Sequence, residues 1–137
     1  MGPDKKSKKL KRLVAVQRHL EKIAEYDLVE TARQRQEIAA GLERVIEALG
    51  SMDPVHRLFA QSYADRFDRL SGDDRRMADV QRVQENKVLR QRTKAERLQD
   101  KMLEARGHED REAEDETLQD LIDLTFATPA SSKLHER

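Results

Sequence analysis

Tyr63, Phe67, Leu70, Asp74, Met77, Gln81, Gln84, Val88, Gln91, Ala95, Leu98, Met102 and Ala105 follow one another at alternating steps of four and three. A seven-residue repeat sustained this long draws one seam along a helix and calls for a second helix to cover it, as in a left-handed coiled coil. The seam is uneven, because Asp74, Gln81, Gln84 and Gln91 place polar side chains on it. Polar seam positions cost stability and serve to fix register.

The covering helix is sought in the first half of the chain. Leu10 to Leu49 contains no proline and one glycine, Gly41. Leu13, Val16, Leu20, Ile23, Ala24, Leu28, Ile38, Leu42, Val45 and Leu49 recur at close to the helical period, with Asp27 and Gln34 as polar interruptions. The spacing predicts a helix of about forty residues, roughly 60 Å long, too long for a compact domain of this size.

Gly50-Ser51-Met52-Asp53-Pro54 is the clearest punctuation. Gly50 suits a helix C-terminus, Asp53 an N-cap and Pro54 a first helical position. A short link between two long amphipathic helices makes them antiparallel neighbours. Ser71-Gly72-Asp73-Asp74 offers another turn, but only 50–54 has both a stop and a start signal. With a turn near residue 52, Leu10 falls opposite about residue 94.

The expected fold is therefore all-α: an antiparallel two-helix coiled-coil hairpin with a short acidic C-terminal helix or tail. Residues 1–9 read as a disordered basic arm and 10–107 as the hairpin, with helices at about 10–49 and 54–106. Residues 108–137 read as an acidic amphipathic segment, with Leu118, Leu121, Ile122 and Leu124, followed by a disordered tail from Thr128. Within 109–123 stand eight Asp or Glu and one Arg.

Composition excludes several classes. Aromatics are 4% and charged residues 39%, so the usual fillers of a globular core are scarce and long helix is favoured. Disorder shares the high charge but lacks the regular apolar spacing. Lys plus Arg and Asp plus Glu each number 27, a balance unlike that of a dedicated nucleic-acid binder. The absence of cysteine excludes disulfides and thiolate metal sites, and fits a reducing cytoplasm. No apolar run is long enough to span a membrane, the basic start lacks an apolar signal core, and Lys6 stands where a myristoylation motif needs Ser or Thr. A soluble, cytoplasmic protein is expected, at most peripheral at the inner membrane.

No phosphate-binding loop, dinucleotide fingerprint, zinc-protease motif or nucleophile elbow is present. His19, His56, His108 and His135 are scattered, and His108 beside Glu109 and Asp110 reads as a solvated helix end. A two-helix hairpin offers no pocket that excludes water, so no enzyme activity, cofactor or metal is expected. Lys5, Lys6, Lys8, Lys9, Lys11 and Arg12 form a basic stretch that could meet phosphate, anionic lipid or an acidic protein, or simply be solvated. No aromatic is interleaved there to stack on bases. Phe59, Tyr63 and Phe67 cluster near the turn; Phe67 reads as seam, and Phe59 falls beside the stripe.

The stretch Lys11-Arg12-Leu13-Val14 through Gln17-Arg18-His19-Leu20-Glu21-Lys22-Ile23-Ala24-Glu25-Tyr26-Asp27-Leu28 resembles the start of FliJ-like proteins. These are coiled-coil components of the flagellar type III export apparatus, with YscO-like counterparts in injectisomes. Lys94-Ala95-Glu96-Arg97-Leu98 is similar to the family's closing segment, so the resemblance spans about residues 10–105. The acidic segment 109–123 and the patch Leu118–Leu124 have no counterpart in it. The resemblance implies a stalk in the ring of the export ATPase, with contacts to the export gate and to export chaperones. Lys8, Lys9, Leu10, Lys11, Arg12, Leu13, Leu98 and Met102 would then meet the ATPase ring. Leu42, Tyr63 and Phe67 would meet the gate. The chain would bind no nucleotide and act as a monomer or weak homodimer. A generic coiled-coil scaffold or adaptor that self-associates is the other expectation, and a binder of membrane or nucleic acid through residues 5–12 a third.

Overall fold

In the computed structural model, which describes the backbone of residues 5–135 and the side chains of 5–127, the protein is all-α. Three helices follow in order: α1 (Lys6–Leu49), α2 (Pro54–Leu58) and α3 (Ala60–His135). α1 and α3 pack against each other, and together they build two compact units: Val16–Ala95, and Met1–Ala15 with Glu96–Arg137.

α1 starts at Lys6, inside the stretch read as a disordered arm, of which residues 1–4 lie outside the described residues. Its first turn carries no acidic residue, an unfavourable match to the positive end of the helix dipole. Glu109 of α3 supplies the missing anion by accepting from the Ser7 backbone N–H at 3.0 Å, one of the donors that a helix start leaves unpaired.

α1 ends where the sequence predicts, but not through a left-handed glycine. The Gly50 N–H reaches the Ile46 carbonyl at 3.0 Å, and no described residue has a positive φ. Asp53 then caps α2: its backbone is extended (φ −64°, ψ 129°) and its side chain accepts from the Val55 N–H at 2.9 Å, with Pro54 following. α2 closes after one turn at Phe59, and α3 resumes at Ala60.

Residues 71–74 are helical, so the only break between the long helices among the described residues is the connection from Gly50 to Phe59. α3 does not stop near residue 106. It continues through Gly107 and the acidic segment to His135, including Thr128–Ser132, the start of the stretch predicted to be disordered. One glycine costs a helix only about 1 kcal/mol against alanine, and strong helix formers surround this one. Residues 136 and 137 lie outside the described residues.

In the unit Val16–Ala95, the start of α1 meets the later part of α3 and its end the earlier part. Gln17 bonds to Gln91 and Glu21 to Arg92, whereas Arg35 bonds to Asp74 and Gly41 approaches Leu70. The α3 seam here consists of the heptad residues from Tyr63 to Ala95, each buried or half-buried. The α1 seam differs from the predicted one. It runs through Gln17, Glu21, Ala24, Leu28, Thr31, Arg35, Ile38, Leu42 and Val45, again at steps of three and four. The predicted face members Val16, Leu20 and Ile23 point outward, as do Asp27 and Gln34. Polar side chains took the seam because α3 presents polar partners there, leaving aliphatics outside.

In the other unit, Ser7 and Leu10 of α1 are buried beside α3, and Leu13 is exposed. Ser7 meets Glu109, and Leu10 shares a groove with Leu98 and Ala105. Leu10 thus lies further along α3 than residue 94. The connection and α2 take up about ten residues between the long helices, which moves the centre of the turn past residue 52.

Candidate functional site

Three regions stand out: two offer the exposed, chemically distinct surface that protein binding needs, and one is a polar seam between the helices. The first is the connection and its flanks. Ile46, Leu49, Met52, Val55, Leu58 and Phe59 are all exposed, a concentration of apolar surface of the kind that marks an interaction site. The local geometry is held firmly. Asp53 caps α2, the Asp53 N–H donates to Ser51 Oγ at 3.1 Å, and the His56 ring sits edge-on to Tyr63 with centroids 5.9 Å apart. Met52, Val55 and Leu58 are exposed because they lie in the connection and the five-residue α2, off both long-helix seams, and Ile46 and Leu49 close the end of α1 beside them. His56 Nδ1 is buried there without a hydrogen-bond partner.

The second region is the polar seam of the unit Val16–Ala95. Arg35 donates from Nε to Asp74 Oδ1 at 3.1 Å and from Nη1 to Gln81 Oε1 at 2.9 Å. Asp74 beside it holds the guanidinium above its ordinary pKa. Gln17 Nε2 donates to the Gln91 carbonyl at 3.3 Å and to the Gln91 side chain. Glu21 is buried, yet its carboxylate meets Arg18 at 2.9 Å and Arg92 at 3.1 Å. Those arginines, Arg18 first, hold its carboxyl below the usual carboxylate range. Thr31 returns its hydroxyl to the Asp27 carbonyl at 3.1 Å. Only Gln84 Oε1 is buried and unpaired on this seam among the described residues; Gln84 borders a groove with Ala24, Asp27, Val80, Val83 and Lys87. Paired polar groups specify register at little gain in stability.

The third region is the start of α1 with the part of α3 beside it. Ser7 holds the Glu109 carboxyl below its ordinary pKa through its hydroxyl and its backbone N–H, with smaller help from Lys5 and Arg106. Lys8, Lys9, Lys11 and Arg12 are exposed. The chain matches no family model, no curated protein and no solved structure.

The residues assigned to a ring-binding end divide into two groups. Leu10 is buried and Leu98 and Met102 are half-buried, all three spent largely on packing. Leu13 is 51% exposed and, with Lys8, Lys9, Lys11 and Arg12, is what this end offers to a partner. Leu42, Tyr63 and Phe67, assigned to a gate-binding surface, are half-buried seam residues. Exposed surface near the turn comes instead from Met52, Val55 and Leu58, which sequence reasoning passed over, and from Phe59. Their signal was position: each is apolar within or beside a proline-led turn of five residues that no heptad includes.

Among the described residues, no group of His, Asp and Glu could hold a metal ion, and no helix is long and apolar enough to cross a membrane.

Proposed function

We propose that the chain is a non-enzymatic, antiparallel two-helix coiled-coil hairpin that works as a stalk in a flagellar or related type III export apparatus. In this reading it is cytoplasmic, at most peripheral at the inner membrane, and binds the export ATPase ring, the export gate and export chaperones. It holds no nucleotide itself. The carrying observation is the seam between α1 and α3, which is slender and half polar while apolar side chains stay outside it. Val16, Leu20 and Ile23 are exposed while Gln17, Glu21, Thr31 and Arg35 occupy the seam. A protein built only to fold would put the aliphatics inside. Placing them outside suits a helix that is to be gripped by a surrounding surface.

The resemblance of residues 10–105 to FliJ-like proteins supplies the partner class, and the exposed Leu13 with its neighbouring lysines supplies one contact. The exposed cluster from Ile46 to Phe59 supplies a second contact. Co-precipitation of the export ATPase and of the gate protein's cytoplasmic part from the same cell tests this. Leu13→Asp should abolish ATPase capture alone, and Leu58→Asp gate capture alone. Capture of neither by the unaltered chain contradicts the reading.

The second reading is a coiled-coil scaffold that self-associates, favoured by the same exposed aliphatics on α1. It predicts a concentration-dependent dimer lost on Leu20→Asp, with no effect on any ATPase.

A further inference from the structure

The overhanging part of α3 carries its own binding face. α1 gives out at Lys6, with Ser7 bonded to Glu109, and every residue from Asp110 to Ala127 is exposed. On this stretch Leu118, Leu121 and Ile122 stand 57%, 55% and 39% exposed, at the three- and four-residue steps that form one stripe on a helix. Ala113, Glu114 and Thr117 join Leu118 and Leu121 around a shallow groove.

The stripe does not continue the seam. Leu98, Met102, Ala105 and Glu109 mark the side of α3 that faces α1. At about 100° per residue, Leu118, Leu121 and Ile122 lie roughly half a turn round the helix from that side. A helix continuing the line of α1 would cover Glu112, Glu116 and Gln119 instead. α1 does not cover this face.

Charge narrows the occupant. Residues 109–123 hold eight acidic side chains and one arginine, and Glu114 and Asp115 adjoin the stripe. Two such tails repel each other along their whole length, and an anionic lipid surface repels them too. The basic start of α1 in a second copy also has the right charge and exposes Leu13, Val16 and Leu20, so a dimer through this face is the competing outcome that the test separates.

We propose that α3 beyond Glu112 is a docking helix for a basic amphipathic helix of another protein. That partner lays aliphatic anchors on Leu118, Leu121 and Ile122 and sets Lys or Arg against Glu114 and Asp115. The inference stands whether or not the chain serves an export ATPase.

The test titrates the full chain with a synthetic three-heptad helix bearing leucine on its seam and lysine on its flanks, and with a twin bearing glutamate on the flanks. The lysine peptide binds, more weakly as salt rises, and the glutamate twin does not. Leu118→Asp with Ile122→Asp adds two negative charges to the tail. Charge alone would then tighten binding, whereas loss of the apolar stripe weakens it, by about tenfold or more. Leu118→Ala with Ile122→Ala leaves charge and helix propensity intact and shifts binding the same way, with circular dichroism confirming the helix. Unchanged or tighter binding by either variant overturns the proposal. So does a dimer of the free chain that the same variants dissociate, since that makes a second copy the occupant.

Discussion

Arg35 on α1 donates from Nε to Oδ1 of Asp74 on α3 at 3.1 Å, joining two charged residues in the middle of a seam where aliphatic side chains would be usual. Both are about one-third exposed, so the pair gains little from Coulomb attraction but forbids neighbouring registers, in which either charge would face an apolar side chain. Reversing one charge, as Arg35→Asp or Asp74→Arg, should lower the thermal midpoint. The exchanged double variant should recover most of that loss, which a double-mutant cycle on thermal melts measures.

Ala95 is 0% exposed, the most buried residue of the α3 seam among the described residues. Ala95→Leu should force the helices apart and destabilise by about 1–3 kcal/mol. Val88→Ala, at a buried site on the same seam, should cost roughly 1–2 kcal/mol by leaving a gap. Denaturant unfolding with unchanged slope would confirm that both act on packing.

The burial of Ala95 and Val88 was legible because the four-three repeat on α3 is long and no competing stripe disturbs it. α1 was legible only as a helix. It bears two apolar stripes, and periodicity alone favours the one richer in leucine and isoleucine. The choice was made by α3, whose polar seam residues Asp74, Gln81 and Gln91 needed Arg35 and Gln17 opposite them. A tertiary pairing of this kind cannot be read from one helix. The continuation of α3 past Gly107 was hidden for a local reason, since a glycine beside a change of composition looks like a boundary. The ring-end and gate-end residues followed the resemblance, and most proved to be seam. The exposed Met52, Val55 and Leu58 lie on a turn whose length a heptad count cannot see.

Gly41 tests how closely the helices approach. A β-carbon there would lie 3.3 Å from Leu70 Cδ1, tighter than ordinary contact. Leu70 is half-buried and borders an open groove of about 460 Å³ shared with Ile38 and Met77, so it has room to turn away. Gly41→Ala should therefore stabilise by about 0.5–1 kcal/mol through reduced chain entropy. A loss of stability would show that Leu70 cannot move.

Acid should loosen the structure through two carboxylates. Arg18 and then Arg92 depress the pKa of Glu21, and Ser7 depresses that of Glu109, so both bind protons more tightly in the unfolded chain. Their contribution is complete above the ordinary carboxylate value near 4.5 and is lost as pH falls through the lower folded values. Thermal midpoints should fall as pH drops from about 6 to about 3, with a shallower fall in Glu21→Gln. Glu109→Gln should act locally, speeding amide hydrogen exchange at Ser7, Lys8 and Lys9, where α1 loses its anionic cap.

If the chain is the stalk proposed above, it acts on an export ATPase, and the hydrolysis rate of that ATPase reports the action. The rate should rise when the chain is added and return to its basal value with Leu13→Asp, whose side chain is exposed and contributes nothing to the seam. An ATPase that hydrolyses at the same rate with and without the chain would contradict the account.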